Sequence, residues 1–258
     1  MTKKRTHRRR EPVVYVEHDE LLVAGGAVVS AKVGSIPAGA TSTLLLGPGV
    51  SLTSAVLNVL GSAGTTVCVV GESGVRFRCH GQPWGGVGRL AERHAEAWTG
   101  RRELAAAALF TMRWGRAPLV GGGVRSISGQ EGAMMKRWYR DEAERVGVRW
   151  DGRRTGAFGN DRLNDSISWA GACVNGLAAT AVHAAGAIPQ LGFIHGGGSW
   201  SFVYDIADLH RCRFVSEAFD LAGDDDFSER SIRHRCRDLA RESGTVDRMI
   251  NEIAELFG

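Results

Sequence analysis

The chain has no paired cysteines, no long apolar run and very little lysine, and each absence removes a class of protein. Cys68, Cys79, Cys173, Cys212 and Cys236 are odd in number, scattered and never spaced as CxxC. This excludes a disulfide framework and a thiolate zinc site, and leaves five core-filling thiols. The cationic start MTKKRTHRRR leads into no apolar segment of the signal-peptide kind, and no later run is long enough to span a bilayer. The expected location is therefore cytoplasmic. Lysine occurs only at Lys3, Lys4, Lys32 and Lys136, so most of the 32 basic side chains are arginines. The formal net charge is only +4, but the pI near 9.0 and the planar guanidinium fork suit an anionic polymer as partner. The run Lys3 to Arg10 reads as a solvated tail able to touch phosphates. No internal repeat is present.

What remains is an ordinary core-forming composition. The 258 residues are 43% hydrophobic, enough for one large domain or two small ones. From Val13 to about Phe77, short valine-rich runs are separated by Gly, Pro and Ser, the texture of a small β domain. Within it, Leu52, Val56, Leu57 and Leu60 predict one helix. Arg76 and Arg78 flank Phe77 and share one strand face. Around HGQPWGGVG, His80 to Gly88, the texture changes, and beyond it the helical period takes over. The spacing predicts helices over Arg89–Gly115, Ser128–Gly147 (with Met134, Met135, Trp138 and Val146 inward), Asn164–Gly186, the segment after Gly198, and a final arginine-rich pair over Asp226–Phe257. The expected fold is α+β: a basic tail over 1–12, a β domain over 13–88, and a larger all-α catalytic domain over 89–258.

The stretch that carries chemistry is GFIHGGGSWSFVYDIADLHRCRF, Gly192 to Phe214. His195 precedes a glycine run, and a helix follows. In that helix Phe202, Val203, Ile206 and Leu209 mark one side, turning Asp205, Asp208 and Cys212 towards another, with Ser199 or Ser201 as the expected cap. Carboxylates at i and i+3 repel by roughly 0.2–0.5 kcal/mol, which a bound cation reverses. Spacing alone equally suits aspartates that complement a helix dipole beside a loop histidine. Glu131, in SGQEG, has the same ambiguity. Ser128 and Glu131 have capping-box spacing, yet a third ligand from another helix is what His195 and Asp208 need to hold a hard ion.

These residues resemble a known family, the CRISPR-associated adaptation integrases (the first-numbered Cas proteins), and among them the type I-E branch. The resemblance runs through VEHDELLVAGGAVV, IPAGATSTLLLGPG, VVGESGVR, GQPWGG, GQEG, VRWDGRR and GAIPQLGFIHGGGSWSFVYDIADL, in order. It implies a β domain for duplex clamping and dimerisation joined to a helical catalytic domain. It implies a metal-dependent DNA endonuclease and integrase that joins the 3′-hydroxyl ends of short captured duplexes to a CRISPR array. The implied ligands of Mg(II) or Mn(II) are Glu131, His195 and Asp208, with Asp205 as a supporting acid in the catalytic set. The resemblance leaves open whether His195 binds the ion or transfers a proton. Arg76 and His18 are the implied DNA contacts. The implied partners are the captured duplex, the leader-repeat DNA, a second copy of the chain, and the small second-numbered Cas protein.

Several positions depart from the family pattern. Gly198 stands where relatives carry a lysine tied to motif choice, Asn175 stands for a tyrosine, and Ser51 and Ser54 stand for an arginine and a histidine. The shorter end at Gly258 bears on how duplex ends are clamped. The rival expectation is a catalytically idle DNA-clamping subunit of the adaptation complex. A small-molecule metallohydrolase fits poorly with arginines spread along the whole chain.

Overall fold

The computed structural model describes residues 11–81, 88–119, 121–154, 161–223 and 228–257. The basic run Lys3 to Arg10, most of HGQPWGG and the acidic triplet Asp224 to Asp226 lie outside the described residues. The chain divides into two compact units, 1–88 and 89–258.

The first unit holds two four-stranded sheets. In one, strands β1 (Glu11–Val16), β5 (Thr41–Leu46) and β7 (Thr66–Val70) run parallel, and β8 (Phe77–Gly81) closes the edge antiparallel to β7. In the other, β4 (Gly34–Ile36), β3 (Ala27–Ser30) and β2 (Glu20–Ala24) pair antiparallel, and β6 (Ser51–Leu52) joins β2 in parallel. The first valine-rich stretch, VVYVEHDELLV, is therefore divided: β1 and β2 belong to different sheets. His18 sits in the turn between them, exposed, with its backbone in the left-handed region at φ 50°. Strand β5 is the centre because TSTLLL is apolar on both faces. Leu44 and Leu46 enter a core with Val16, Leu21, Val28 and Ile36, while Leu45 joins Cys68 and Val70 on the other side. Helix α1 (Ser54–Ala63) seals the first core with Val56 and Leu60, and Gly64 ends it at φ 75°. Arg76 is half-buried just ahead of β8, and Arg78 is exposed on it.

The second unit is all helix: α2 (Gly88–Gly100), α3 (Arg102–Trp114), α4 (Gly123–Val146), α5 (Arg162–Ala185), α6 (Ser201–Asp220), α7 (Glu229–Ser243) and α8 (Thr245–Leu256). The single helix expected over Arg89–Gly115 is two, jointed at Arg101. Helix α5 is the axle. Its alanines and glycines let α6, α7 and α8 approach closely, and the run from Val174 to Val182 is buried except for Asn175, which is half-buried. Asp161 starts α5 by accepting the Asn164 N–H at 3.0 Å, and Gly186 stops it at φ 74°. Helix α6 lies against α5, α3 and α4 and is buried on nearly every side at its beginning. The expected serine cap is absent: Trp200 occupies the cap position without a side-chain hydrogen bond, and Ser201 Oγ instead donates to the Gly198 carbonyl.

Ala178 on α5 is fully buried. Ala178→Leu is expected to lower the unfolding free energy of the helical unit by about 1–3 kcal/mol through overpacking, read as an earlier urea midpoint in far-ultraviolet circular dichroism.

Candidate active site

Helix α6 brings its carboxylates out one turn apart, and they serve different neighbours. Asp205 is buried at 2% exposure and collects the chain that precedes its own helix. Its Oδ2 accepts the backbone N–H of Phe193 at 2.5 Å and of Ile194 at 3.3 Å, and its Oδ1 accepts the N–H of His195 at 2.9 Å. The His195 ring completes the set, Nδ1 lying 2.8 Å from Oδ1. Since an ionised carboxylate only accepts, Nδ1 carries a proton, and Nε2 is the nitrogen left for chemistry. Nε2 faces Asp208, 4.0 Å from its Oδ2. The ring is 38% exposed and has Tyr204 edge-on at 5.8 Å.

Asp208 lies between two arginines. Arg211, one turn further along α6, donates Nε to its Oδ1, and Arg113 from the end of α3 donates Nη1 to its Oδ2 at 3.0 Å. The same Arg113 nitrogen donates to Oε1 of Glu131 on α4. The structure thus gathers Glu131, His195, Asp205 and Asp208 into one place, and threads a guanidinium between two of them. Arg113 is only 3% exposed, and its Nε and Nη2 are buried without a hydrogen-bond partner among the described residues.

Glu131 arrives differently from one local expectation. Helix α4 begins at Gly123, the last of three glycines with positive φ, so Ser128 is already inside the helix and no capping box forms around Glu131. Glu131 is a mid-helix acid turned inward, 7% exposed. Arg113 and Arg211 were missed in the sequence. Arg113 in TMRWG resembles any basic residue complementing a helix C-terminus, whereas Arg211, at i+3 from Asp208, could have been found from helical spacing.

The charges set the carboxylates apart. Burial pushes Glu131 up beyond what the Arg113 charge recovers, and Asp208 adds to the rise. Burial acts on Asp208 as well, but the charges of Arg211, Arg113 and His195 outweigh it and hold this carboxyl below the usual range. For His195 burial favours the neutral ring, yet the hydrogen bond and charge of Asp205, with Asp208 and Glu131 behind, raise its pKa.

Two carboxylates and one imidazole nitrogen are the donor set of a divalent ion such as Mg(II) or Mn(II). Among the described residues no group of three or more His, Cys, Asp or Glu is arranged to hold a metal as the chain stands. Positive charge already lies between Glu131 and Asp208, supplied by a guanidinium two of whose nitrogens have no hydrogen-bond partner among the described residues. The residues fit a divalent ion on condition that Arg113 withdraws. Arg76 and His18 belong to the first unit. Asn175 accepts from Arg211 Nη2 at 3.0 Å and so steadies the arginine on Asp208.

If Arg113 is the counter-charge of this site, Arg113→Met leaves two buried carboxylates facing each other. In chelator the variant is expected to lose about 3–5 kcal/mol of stability, and Mn(II) is expected to shift its urea midpoint upward more than it shifts the wild type's. Equal midpoints for both proteins in chelator would contradict this.

No protein-family model matches the chain. Whole-chain relatives do. The CRISPR-associated endonuclease Cas1 1 of Rhodospirillum rubrum is 35% identical over 267 residues, spanning 96% of this chain and 85% of that protein. The CRISPR-associated endonuclease Cas1 of Escherichia coli K12 is 32% identical over 262 residues, with the same two coverages. Among solved structures, that of the TtCas1–DNA complex superposes with a TM-score of 0.87 at 30% identity, covering 96% of each chain. With this identity along nearly its whole length, and with the β unit, the helical unit and the acid–histidine cluster in place, the chain belongs to the Cas1 family of CRISPR-associated endonucleases.

Proposed function

We propose that the protein is a divalent-metal-dependent DNA integrase and endonuclease of CRISPR spacer acquisition. The observation that carries this reading is that Glu131 of α4 and Asp208 of α6 meet at the buried Arg113, with Nε2 of His195 from the GFIH loop 4.0 Å from Asp208. Family membership and the naming of relatives as endonucleases support it. A relative's structure in complex with DNA supports DNA as the substrate class.

In the proposed reaction the 3′-hydroxyl oxygen of a short captured duplex forms a new bond to a phosphorus at the leader-side repeat. The bond from that phosphorus to the array's own 3′-oxygen breaks, and the displaced oxygen takes up a proton. The phosphodiester count is unchanged, and water in place of the hydroxyl makes the reaction hydrolysis. Glu131, Asp208 and Nε2 of His195 would hold Mg(II) or Mn(II), which when bound neutralises charge on the phosphate and assists the attacking and leaving oxygens. The protein's own part is orientation. Asp205 fixes the His195 tautomer, Arg211 steadies Asp208, and His195 Nε2 is aimed at the position where a proton or a metal is exchanged. Arg76 and His18 would touch the captured duplex. A second copy of the chain and a dimer of the small second-numbered Cas protein would complete the assembly that holds both DNAs. Binding would rest mainly on phosphate contacts and so weaken with salt.

The guanidinium between Glu131 and Asp208 gives the idle-clamp reading its one specific support: a subunit whose Arg113 never yields would bind DNA without cutting or joining it.

A joining assay separates the two. A short labelled duplex is incubated with a supercoiled plasmid carrying leader and repeat, the small partner, and either Mn(II), Mg(II) or chelator. Joined product is expected only with metal, falling at least about 100-fold in Asp208→Ala. DNA binding by both proteins with no joining under any condition would establish the clamp instead.

Metal affinity gives a second expectation. The raised His195 pKa means that the ring keeps its proton above the ordinary value of 6.5, and that proton must leave before Nε2 can bind an ion. Mn(II) affinity should therefore rise with pH, by up to about tenfold per unit, until the raised pKa is passed. In the metal-free protein the sign is opposite: the stability contributed by protonated His195 is fully present below 6.5 and lost as pH rises through the raised value. His195→Gln should flatten both slopes. An unchanged Mn(II) profile in that variant would remove His195 from the ligand set.

A further inference from the structure

The loop that delivers His195 is held from two sides, and only one side belongs to the acid–histidine cluster. Asp205 takes the three successive N–H groups of Phe193, Ile194 and His195. Opposite it, three side chains spaced four residues apart take three successive carbonyls. His94 Nε2 lies 2.8 Å from the Leu191 oxygen, Trp98 Nε1 donates to the Gly192 oxygen at 3.1 Å, and Arg102 Nε donates to the Phe193 oxygen at 3.1 Å. His94 and Trp98 stand on α2 and Arg102 opens α3. Helical hydrogen bonds run across the joint, from Arg101 N–H to the Ala97 oxygen and from Ala105 N–H to the Arg101 oxygen, so the three share one nearly continuous face.

The His94 tautomer is dictated by its partners. The Ile188 N–H donates to Nδ1 at 3.2 Å, so Nδ1 bears no proton and Nε2–H is the donor to Leu191. The ring is wholly buried, with Phe193 stacked at 5.3 Å and Phe202 and Phe257 at 4.3 and 4.7 Å. Burial pushes its pKa down, which keeps it in the neutral form this pattern requires. The gripped backbone has no slack. A Cβ on Gly192 would stand 2.4 Å from the His195 oxygen and 2.7 Å from Ser201, so residue 192 must be glycine for the loop to lie against the start of α6.

We infer that His94, Trp98 and Arg102 are positioning residues for His195: a carbonyl-gripping ladder that, with Asp205, fixes the GFIH backbone and so the direction of the imidazole. This rests on the reading of His195 as a working residue of the site. The ladder touches neither metal nor DNA in that reading and acts only through the loop.

The test compares His94→Phe/Trp98→Phe, which keeps aromatic bulk and removes two donors and one acceptor, with His94→Gln, whose amide can both donate and accept. The first readout is amide hydrogen exchange in metal-free protein without DNA, with Val174 to Ala181 of α5 as the internal measure of global folding. The second is Mn(II) affinity by isothermal titration. The double variant is expected to exchange Phe193, Ile194 and His195 at least about tenfold faster with α5 protection unchanged, and to bind Mn(II) about tenfold or more weakly. His94→Gln is expected to stay within about threefold of wild type in both readouts. Wild-type exchange at the three amides in the double variant would overturn the proposal, as would His94→Gln loosening the loop as much as the double variant. If the double variant also loses α5 protection, Trp98→Phe alone decides: faster exchange at the three amides supports the ladder, and unchanged exchange overturns it. Loosened amides in a protein whose wild type binds no Mn(II) would keep the ladder and sink the metal reading instead.

Discussion

The helical unit depends on one buried carboxylate. Asp205 sits almost out of water, where an unpaired charge would cost several kcal/mol, and it is stabilised by three backbone N–H groups and one imidazole N–H from consecutive residues. The arrangement works only because the loop folds back over the first turn of α6. That fold in turn requires the missing Cβ at Gly192. Once Asp205 has fixed the loop, Asp208 one turn later and His195 above it stand in a set relation. The position of the chemistry follows from the satisfaction of one charge.

The second organising feature is the shared guanidinium. Glu131 and Asp208 belong to helices far apart in sequence, and like charges from both would push α4 and α6 apart. Arg113 from α3 bonds to both, so three helices meet at one charge triad. The two acids are not equivalent there. The charges of Arg211, Arg113 and His195 outweigh burial at Asp208 and hold its carboxyl down, whereas at Glu131 burial, with Asp208 adding to it, outweighs Arg113 and His195 and pushes the carboxyl up. In the proposed metal-bound form a divalent ion would supply between these two acids the positive charge that Arg113 supplies here.

The sequence made much of this visible, and the misses have physical causes. Valine runs and glycine punctuation disclosed the β unit, but nothing in VVYVEHDELLV shows that the turn at His18 sends its two strands to separate sheets. The 3.6-residue period located α5 and α6, because burial on one face leaves that mark. It misplaced the start of α4, since three glycines before Val124 read as loop, and so left a capping box with Ser128 open for Glu131 beside the ligand reading, whereas Glu131 is an inward acid of mid-helix. The ladder of His94, Trp98 and Arg102 was unreadable for another reason. A histidine and a tryptophan at helical spacing look like core, and what distinguishes them, three carbonyls some ninety residues away, exists only after folding.

The central claim is that Glu131, His195 and Asp208 hold a divalent ion in the position that Arg113 occupies in its absence. The most direct measurement is a crystal structure of the protein with Mn(II), using anomalous scattering at the manganese edge. The account predicts one strong anomalous peak bounded by Glu131, Asp208 and Nε2 of His195, with the Arg113 guanidinium displaced from between the carboxylates. Saturating Mn(II) with no peak there, and Arg113 still bonded to both acids, would contradict it.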